Sequence, residues 1–430
     1  MRGIALVTSI AAVLVACSGA ATAEAIKPGD VVTPDTASQV ADLVSPGNLV
    51  LVKQGMRMKI VSTERLEWPP PYKSATEKYS SQVKLNDKGE LENYVAGLPF
   101  PLLDPNDPQA AAKVVWNFSY RPVATDDLDI RHVENVSRRD KDEIPGQPVL
   151  HVTTQHVAIY NNVGRTEVPP IPSDPDGNIS GIRYRFGAFP VLEPATIRGF
   201  GYMRFRYKDP ATEDNIWWYV PSARRVIRSR ADAQSDSTNA NTIDADSYFG
   251  FAPKVEDFNY RLLGIKPMLA VAHAESLPAR ACEFDNYRTI CPENWEMRQV
   301  YIVEATAKPL AWHQEIGTSG LSIPKRILYI DSEGWFITAS DQYAKTGALW
   351  KTLAVFTAYR DRSAMGSKAA IYPFKRIFQT AMVDEDILSG FSTISYTPGQ
   401  ETDDPEGWYI NMATLPQSFL EPRHMEFVGH

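Results

Sequence analysis

Apolar and polar positions alternate with period two along much of the chain beyond Ile182, which is the signature of half-buried β-strands. Residues 182–186, 197–207, 216–220, 300–303, 326–330, 335–340 and 349–359 all carry it. Ser332-Glu333-Gly334 reads as a hairpin turn between two of these strands. In the longest run, Met203, Phe205 and Tyr207 fall on one face, and Tyr202, Arg204 and Arg206 fall on the other. Tyr184 and Phe186 group with the former by residue type, as do Met56 and Met58 from an earlier strand at 56–61.

The first half of the chain is more mixed. Thr36 or Ser38 is placed to cap a short helix through Val40 and Leu43, and Leu49–Val52 reads as a strand. Trp68-Pro69-Pro70-Pro71-Tyr72 is expected to be extended, as a rigid surface crossing. Asp107 and Pro108 have the residue types of an N-cap and a first helical position, and they predict a helix over 107–117. A second, amphipathic helix is expected over 373–388.

Many long antiparallel strands with few helices predict a mainly β, α+β fold built on one large curved antiparallel sheet. A sheet of that size must curl, and curling creates a concave apolar face. The two expected helices are candidates to lie in it. No linker divides residues 24–430, which read as a single β domain with long loops.

Composition narrows the setting. Hydrophobic residues make up 43% of the 430 and charged residues 22%, as in a folded globular chain. The net charge of −8 disfavours nucleic acid as a partner. Residues 1–23 read as a signal peptide: Met1-Arg2, an apolar run from Ile4 to Ala16, then small residues. Ala21-Thr22-Ala23 offers a cleavage site that releases a soluble chain, the favoured exit. Leu14-Val15-Ala16-Cys17 reads instead as a lipobox that would lipidate Cys17. Either exit predicts a periplasmic protein. In an exported chain, Cys282 and Cys291 are most simply a disulfide that pins one loop.

Two clusters suggest binding. Between Arg183 and Arg230 stand ten Lys or Arg, among them Arg204, Arg206, Arg224 and Arg225, against four acids. They could hold an anionic head group through guanidinium forks, or simply pair with acids across a solvated sheet face. The apolar set of Met56, Met58, Tyr184, Phe186, Met203, Phe205, Tyr207 and Trp218 could line a lipid cavity or be plain core. The seven histidines are scattered, and no metal-binding, P-loop, Rossmann or nucleophile-elbow motif occurs. The sequence therefore predicts no catalytic residues, no metal and no cofactor.

The stretch 214–264 carries a resemblance. Its Trp-x-Tyr-x-Pro-x-x-Arg-Arg-Val-x-Arg pattern, followed by a Gly turn and Asp257-Phe258-x-Tyr260-x-Leu262-Leu263-Gly264, resembles bacterial outer-membrane lipoprotein-sorting-like proteins. Trp68–Tyr72, Gly97–Pro101, Cys291–Glu296 and Ser332–Phe336 further make nearly the whole mature chain similar to the family called domain of unknown function 1329. The resemblance implies a half-open β-barrel packed around helices that carries acyl chains across the periplasm. It also implies work beside an inner-membrane exporter of the resistance–nodulation–division type, with outer-membrane contact. The function expected is therefore a non-enzymatic carrier or chaperone of a lipid or other hydrophobic molecule. The alternatives are an exported hydrolase assembled from dispersed Asp, Ser and His, and a ligand-free envelope adaptor. The carrier expectation requires that the inner face of the sheet be hollow.

Overall fold

The computed structural model of the protein describes residues 26–139, 149–229, 242–277, 279, 289–309, 323–398 and 406–428. The signal segment, Cys17, Arg230 and Cys282 lie outside the described residues.

The described strands form one sixteen-stranded, curved and unclosed sheet, beside a separate two-stranded one. From one edge its path runs through Val31–Val32, Met58–Ile60, Glu293–Ala307, Lys325–Asp331, Ile337–Tyr343, Leu349–Arg362, Ile371–Asp386 and Phe391–Tyr396. It continues through Asp127–Arg139, Val149–Asn161, Ile182–Glu193, Gly201–Tyr207, Asn215–Val220 and Arg225–Ser229. Phe258–Ala270 also pairs with Glu293–Ala307, and Tyr409–Ile410 with Asp127–Arg139. One parallel pairing, Met58–Ile60 on Glu293–Trp295, makes the sheet mixed. Two antiparallel meanders thus join where Phe391–Tyr396 meets Asp127–Arg139, a long-range pairing that no hairpin turn announces.

The expected meander strands form, except that 197–200 precedes the strand Gly201–Tyr207 and begins in a 3-10 turn, and Asp331 and Phe336 close the turn at Ser332-Glu333-Gly334. Four further local expectations are corrected. Leu49–Val52 is not a strand but part of α1 (Pro46–Lys53), whose cap is Ser45, accepting from the Asn48 N–H at 3.0 Å. Trp68–Tyr72 is not wholly extended, because α2 (Pro70–Tyr79) starts within it. Pro70 and Pro71 occupy its first turn, where N–H groups have no partner inside the helix and proline loses nothing. α3 runs over Ala110–Ser119 and so begins later than expected. Asp107 turns its carboxylate to the Gln109 N–H at 2.8 Å and to Lys113.

The fourth correction is the largest: 373–388 is not a helix but most of the strand Ile371–Asp386, paired along both edges. From Arg376 to Glu385 the strand is buried on both faces apart from half-buried Gln379, so its sequence lacks the polar–apolar alternation that marks a half-buried strand. Further on, α4 covers Pro175–Ser180 and α5 covers Pro422–Val428.

The sheet has two differently dressed faces. On the inner face, Val303, Leu328, Leu353, Val355 and Met382 pack against Val114, Val115 and Phe118 of α3. The segment 242–257 crosses the same face. On the outer face, α1 docks on Ile337–Tyr343 and Leu349–Arg362. There Asp341 accepts from Ser45 Oγ at 3.2 Å, Thr352 Oγ1 at 2.8 Å and the Gly47 N–H at 3.2 Å.

A cavity on the inner face and the residues around it

Cross-strand register decides which side chains meet. Leu128, Ile159, Phe186, Arg204 and Ile216 form one row across five strands, and Asn161, Tyr184 and Arg206 form the next. Both rows are on the inner face. The end of α3 and the turn Tyr248–Phe251 stand over them, leaving a partly open cavity of about 120 Å³. Its walls include Phe118, Tyr120, Tyr184, Phe186, Phe249 and Trp408. A second cavity of about 40 Å³ shares the walls Tyr248, Phe249 and Trp408 with the first. Most of the inner face is thus filled by the protein itself. A cavity of this size takes a benzene-sized group, and a long alkyl tail needs more room than that.

The turn that separates the two cavities has a special backbone. Phe249 has φ 57°, a left-handed conformation that side chains other than glycine rarely adopt. Gly250 follows at φ 93°, and a Cβ there would stand 2.6 Å from Ile337 Cγ2. This close approach requires glycine and sets the turn hard against the sheet. Burial pushes the Tyr248 hydroxyl up to about 12, so it stays neutral.

Upstream of this turn, Asp244 and Asp246 dock onto buried cations of the inner face. Lys351 Nζ lies 3.5 Å from Asp244 and 3.4 Å from Asp384, and Arg204 lies 3.6 Å from Asp246. Lys351 also donates to the Thr242 carbonyl. Burial pushes Asp384 up to about 7 despite the ammonium beside it. Arg206 is committed as well: it forks onto Asp214 at 2.7 and 3.1 Å and donates to the carbonyls of Ala252 and Pro253.

The expected binding residues separate in the fold. Tyr184, Phe186, Arg204 and Arg206 come together on the cavity wall. Met203, Phe205 and Tyr207 do not join Tyr184 and Phe186. They point to the outer face, where Met203 and Phe205 pack with Tyr219, Leu415, Leu420 and Met425. Alternation within the strand holds, but the pairing of Phe186 with Arg204 rather than Met203 belongs to register, which one strand does not encode. Trp218 packs at a tilt against Tyr202, with ring centroids 4.8 Å apart, on the inner face but off the cavity wall. Met56 and Met58 are fully buried core near the far edge of the sheet. Arg224 and Arg225 are exposed at the last hairpin. Phe118, Tyr120 and Arg121 do not stand out in the sequence as site residues, because helix and strand patterns say nothing of what a helix end covers.

Two histidines have oriented partners. His156 Nε2 lies 2.7 Å from Asp129 and His273 Nδ1 lies 2.8 Å from Glu296. His273 lines an open cleft of about 640 Å³ with Lys59, Asn294, Tyr359 and Arg360. Its buried Nε2 has no hydrogen-bond partner among the described residues. No group of three or more metal-ligating side chains occurs among the described residues. Cys291 is disulfide-bonded; its expected partner Cys282 is outside the described residues.

Among solved structures, the chain is similar to an outer-membrane lipoprotein-sorting protein domain from Vibrio parahaemolyticus. Identity is 12% and the TM-score 0.46, over 74% of this chain and 98% of that one. A DUF1329 family protein from Desulfovibrio piger matches at 13% identity and TM-score 0.45, over 73% of this chain and 96% of that one. A LolA superfamily protein from Nitrosomonas europaea matches at 14% and 0.36, over 70% and 92%. No curated protein matches. The family described as protein of unknown function, DUF1329, matches residues 31–404, and the chain belongs to that family.

Proposed function

We propose that this protein is a periplasmic carrier that shields a hydrophobic molecule or lipid on the inner face of its sheet. The observation that carries the reading is the aromatic-walled cavity between Phe118, Phe186 and Phe249. At about 120 Å³ it matches the class of core cavity, ~150 Å³, that admits a benzene-sized guest. A longer guest enters by displacing the Phe249 wall and joining the two cavities. Burial then drives binding at ~25 cal/mol per Å² of apolar area.

The same reading includes export by residues 1–23, with release at Ala23 or lipidation of Cys17. It also includes one domain over residues 24–430, a Cys282–Cys291 bridge and hand-over to an inner-membrane exporter near the outer membrane. Among the described residues no helix is long and apolar enough to cross a membrane.

The test is native mass spectrometry of the full chain, purified gently from the periplasm and compared before and after organic extraction. A carrier brings an extractable hydrophobic adduct and rebinds an alkyl probe after stripping. Identical masses before and after, with no rebinding, would sink the reading.

A further inference from the structure

The charge of the cavity is at odds with the charge of the chain. The protein is acidic, at −8, yet four arginines (Arg121, Arg183, Arg204 and Arg206) line the cavity and no carboxylate among the described residues does. Two of the four are neutralised from behind, Arg204 by Asp246 and Arg206 by Asp214. Arg121 and Arg183 form no ion pair among the described residues.

Arg121 uses one donor on the Phe118 carbonyl at 3.0 Å and lies over the rings of Phe118 and Phe249, at 4.5 and 5.4 Å. Arg183, only 8% exposed, donates Nη2 to Ser119 Oγ at 2.7 Å and lies over Tyr120 at 4.2 Å. A guanidinium carries five N–H donors, so most of the capacity of both side chains is unspent. Burial pushes Arg121 down to about 10, which leaves it charged at neutral pH. Ring faces attract a cation but do not neutralise it.

We propose that Arg121 and Arg183 receive the oxyanion head group, carboxylate or phosphate, of a single-chain amphiphile whose tail lies against Phe118, Phe186 and Phe249. This rests on the carrier reading and specifies its ligand. The planar fork of arginine suits two oxygens of one head group, and an anion entering the cavity restores the missing counter-charge.

Calorimetric titration of the delipidated full chain with dodecanoate, dodecyl phosphate and dodecanol tests it. The wild type is expected to bind at least one of the two anions roughly ten-fold or more tighter than the alcohol. R183Q, and separately R121Q, should reduce that preference several-fold or more. R183K should recover part of it, because it restores the charge without the fork. R225Q, exposed and outside the cavity, should keep it in full. Tighter phosphate binding points to a phospholipid-type head and tighter carboxylate binding to a fatty acid; either supports the assignment. Equal binding of alcohol and anions by the wild type, or an undiminished preference in both R183Q and R121Q, overturns it and leaves the carrier reading standing. Failure of all three ligands to bind overturns the carrier reading itself.

Discussion

The strands Ile182–Glu193 and Gly201–Tyr207 show the same residues serving two ends on their two faces. On the outer face, Met203 and Phe205 are sealed by Leu415, Leu420 and Met425 from the C-terminal segment. Gly187 lets that segment sit directly on the sheet: a Cβ there would stand 2.6 Å from Leu420 Cδ2. On the inner face, Phe186, Arg204 and Arg206 meet aromatic turns that do not close over them, and a cavity remains. The outer face has the more apolar strand residues, and there the C-terminal segment packs directly onto them. What each face does therefore depends on the segment laid across it more than on the composition of the strands.

The inner face should be the more fragile towards loss of charge. Arg206→Met leaves Asp214 buried without its partner and strands two carbonyls, a change that costs about 3–5 kcal/mol where a buried pair is broken from one side. Urea unfolding should show the midpoint falling accordingly. A loss below about 1 kcal/mol would mean that this arginine is not structural and that its fork is available to a ligand.

The outer face should respond to volume instead. Leu420→Ala removes a fully buried side chain from the seal and is expected to cost about 3 kcal/mol through lost burial and the hole left behind. Affinity for alkyl probes should stay within about two-fold, because the seal and the cavity lie on opposite sides of the sheet. A large change in affinity would show that the two faces are coupled.

A buried carboxylate on the outer face separates them by pH. Burial pushes Asp341 up to about 6 although four donors reach it, from Thr352, Gly47, Ser45 and Tyr329, against 3.8 in an unfolded chain. The folded state therefore holds this proton more tightly. Its stabilising contribution is complete below pH ~4 and is lost as pH rises through ~6. Asp341→Asn keeps an acceptor for the Gly47 N–H and removes the titration. Relative to wild type, the variant should gain about 2–3 kcal/mol between pH 4 and pH 7.5, since each tenfold difference in proton affinity between the folded and unfolded chain is worth about 1.4 kcal/mol. Parallel stability–pH curves for the two proteins would show that the folded chain does not hold this proton.

Much of this contrast is legible in the sequence, and what is not has physical causes. Alternation places Met203 opposite Arg204 because side-chain direction within a strand is local. It does not place Phe186 beside Arg204, since register is set between strands, here with a bulge between Ile182 and Tyr184. The strand Ile371–Asp386 reads as a helix because burial on both faces erases its period. The aromatic–glycine turn at 248–251 stands out by composition, but its position over the sheet comes from Asp244 and Asp246 meeting Lys351 and Arg204. Those contacts join segments far apart in the chain, and no motif announces either spacing. Arg121 is silent for the same reason, since what sets it apart is that no acid among the described residues pairs with it.

The smallest expected effect on stability is also the most direct test of why a cavity remains on the inner face. Phe249 divides the cavity of about 120 Å³ from that of about 40 Å³ and holds an unfavourable φ of 57° to do so. In Phe249→Gly the ring's packing is lost, but the left-handed backbone becomes unstrained. The two terms oppose each other, and the net loss should stay within about 2 kcal/mol. Joining the cavities lets about two more methylenes of a guest leave water, worth ~0.8 kcal/mol each, so dodecanol should bind roughly ten-fold tighter. If Phe249 is instead an inert part of the core, the variant will lose stability like Leu420→Ala and gain no affinity. In that case the difference between the faces is only one of packing quality, and the hollow has no guest.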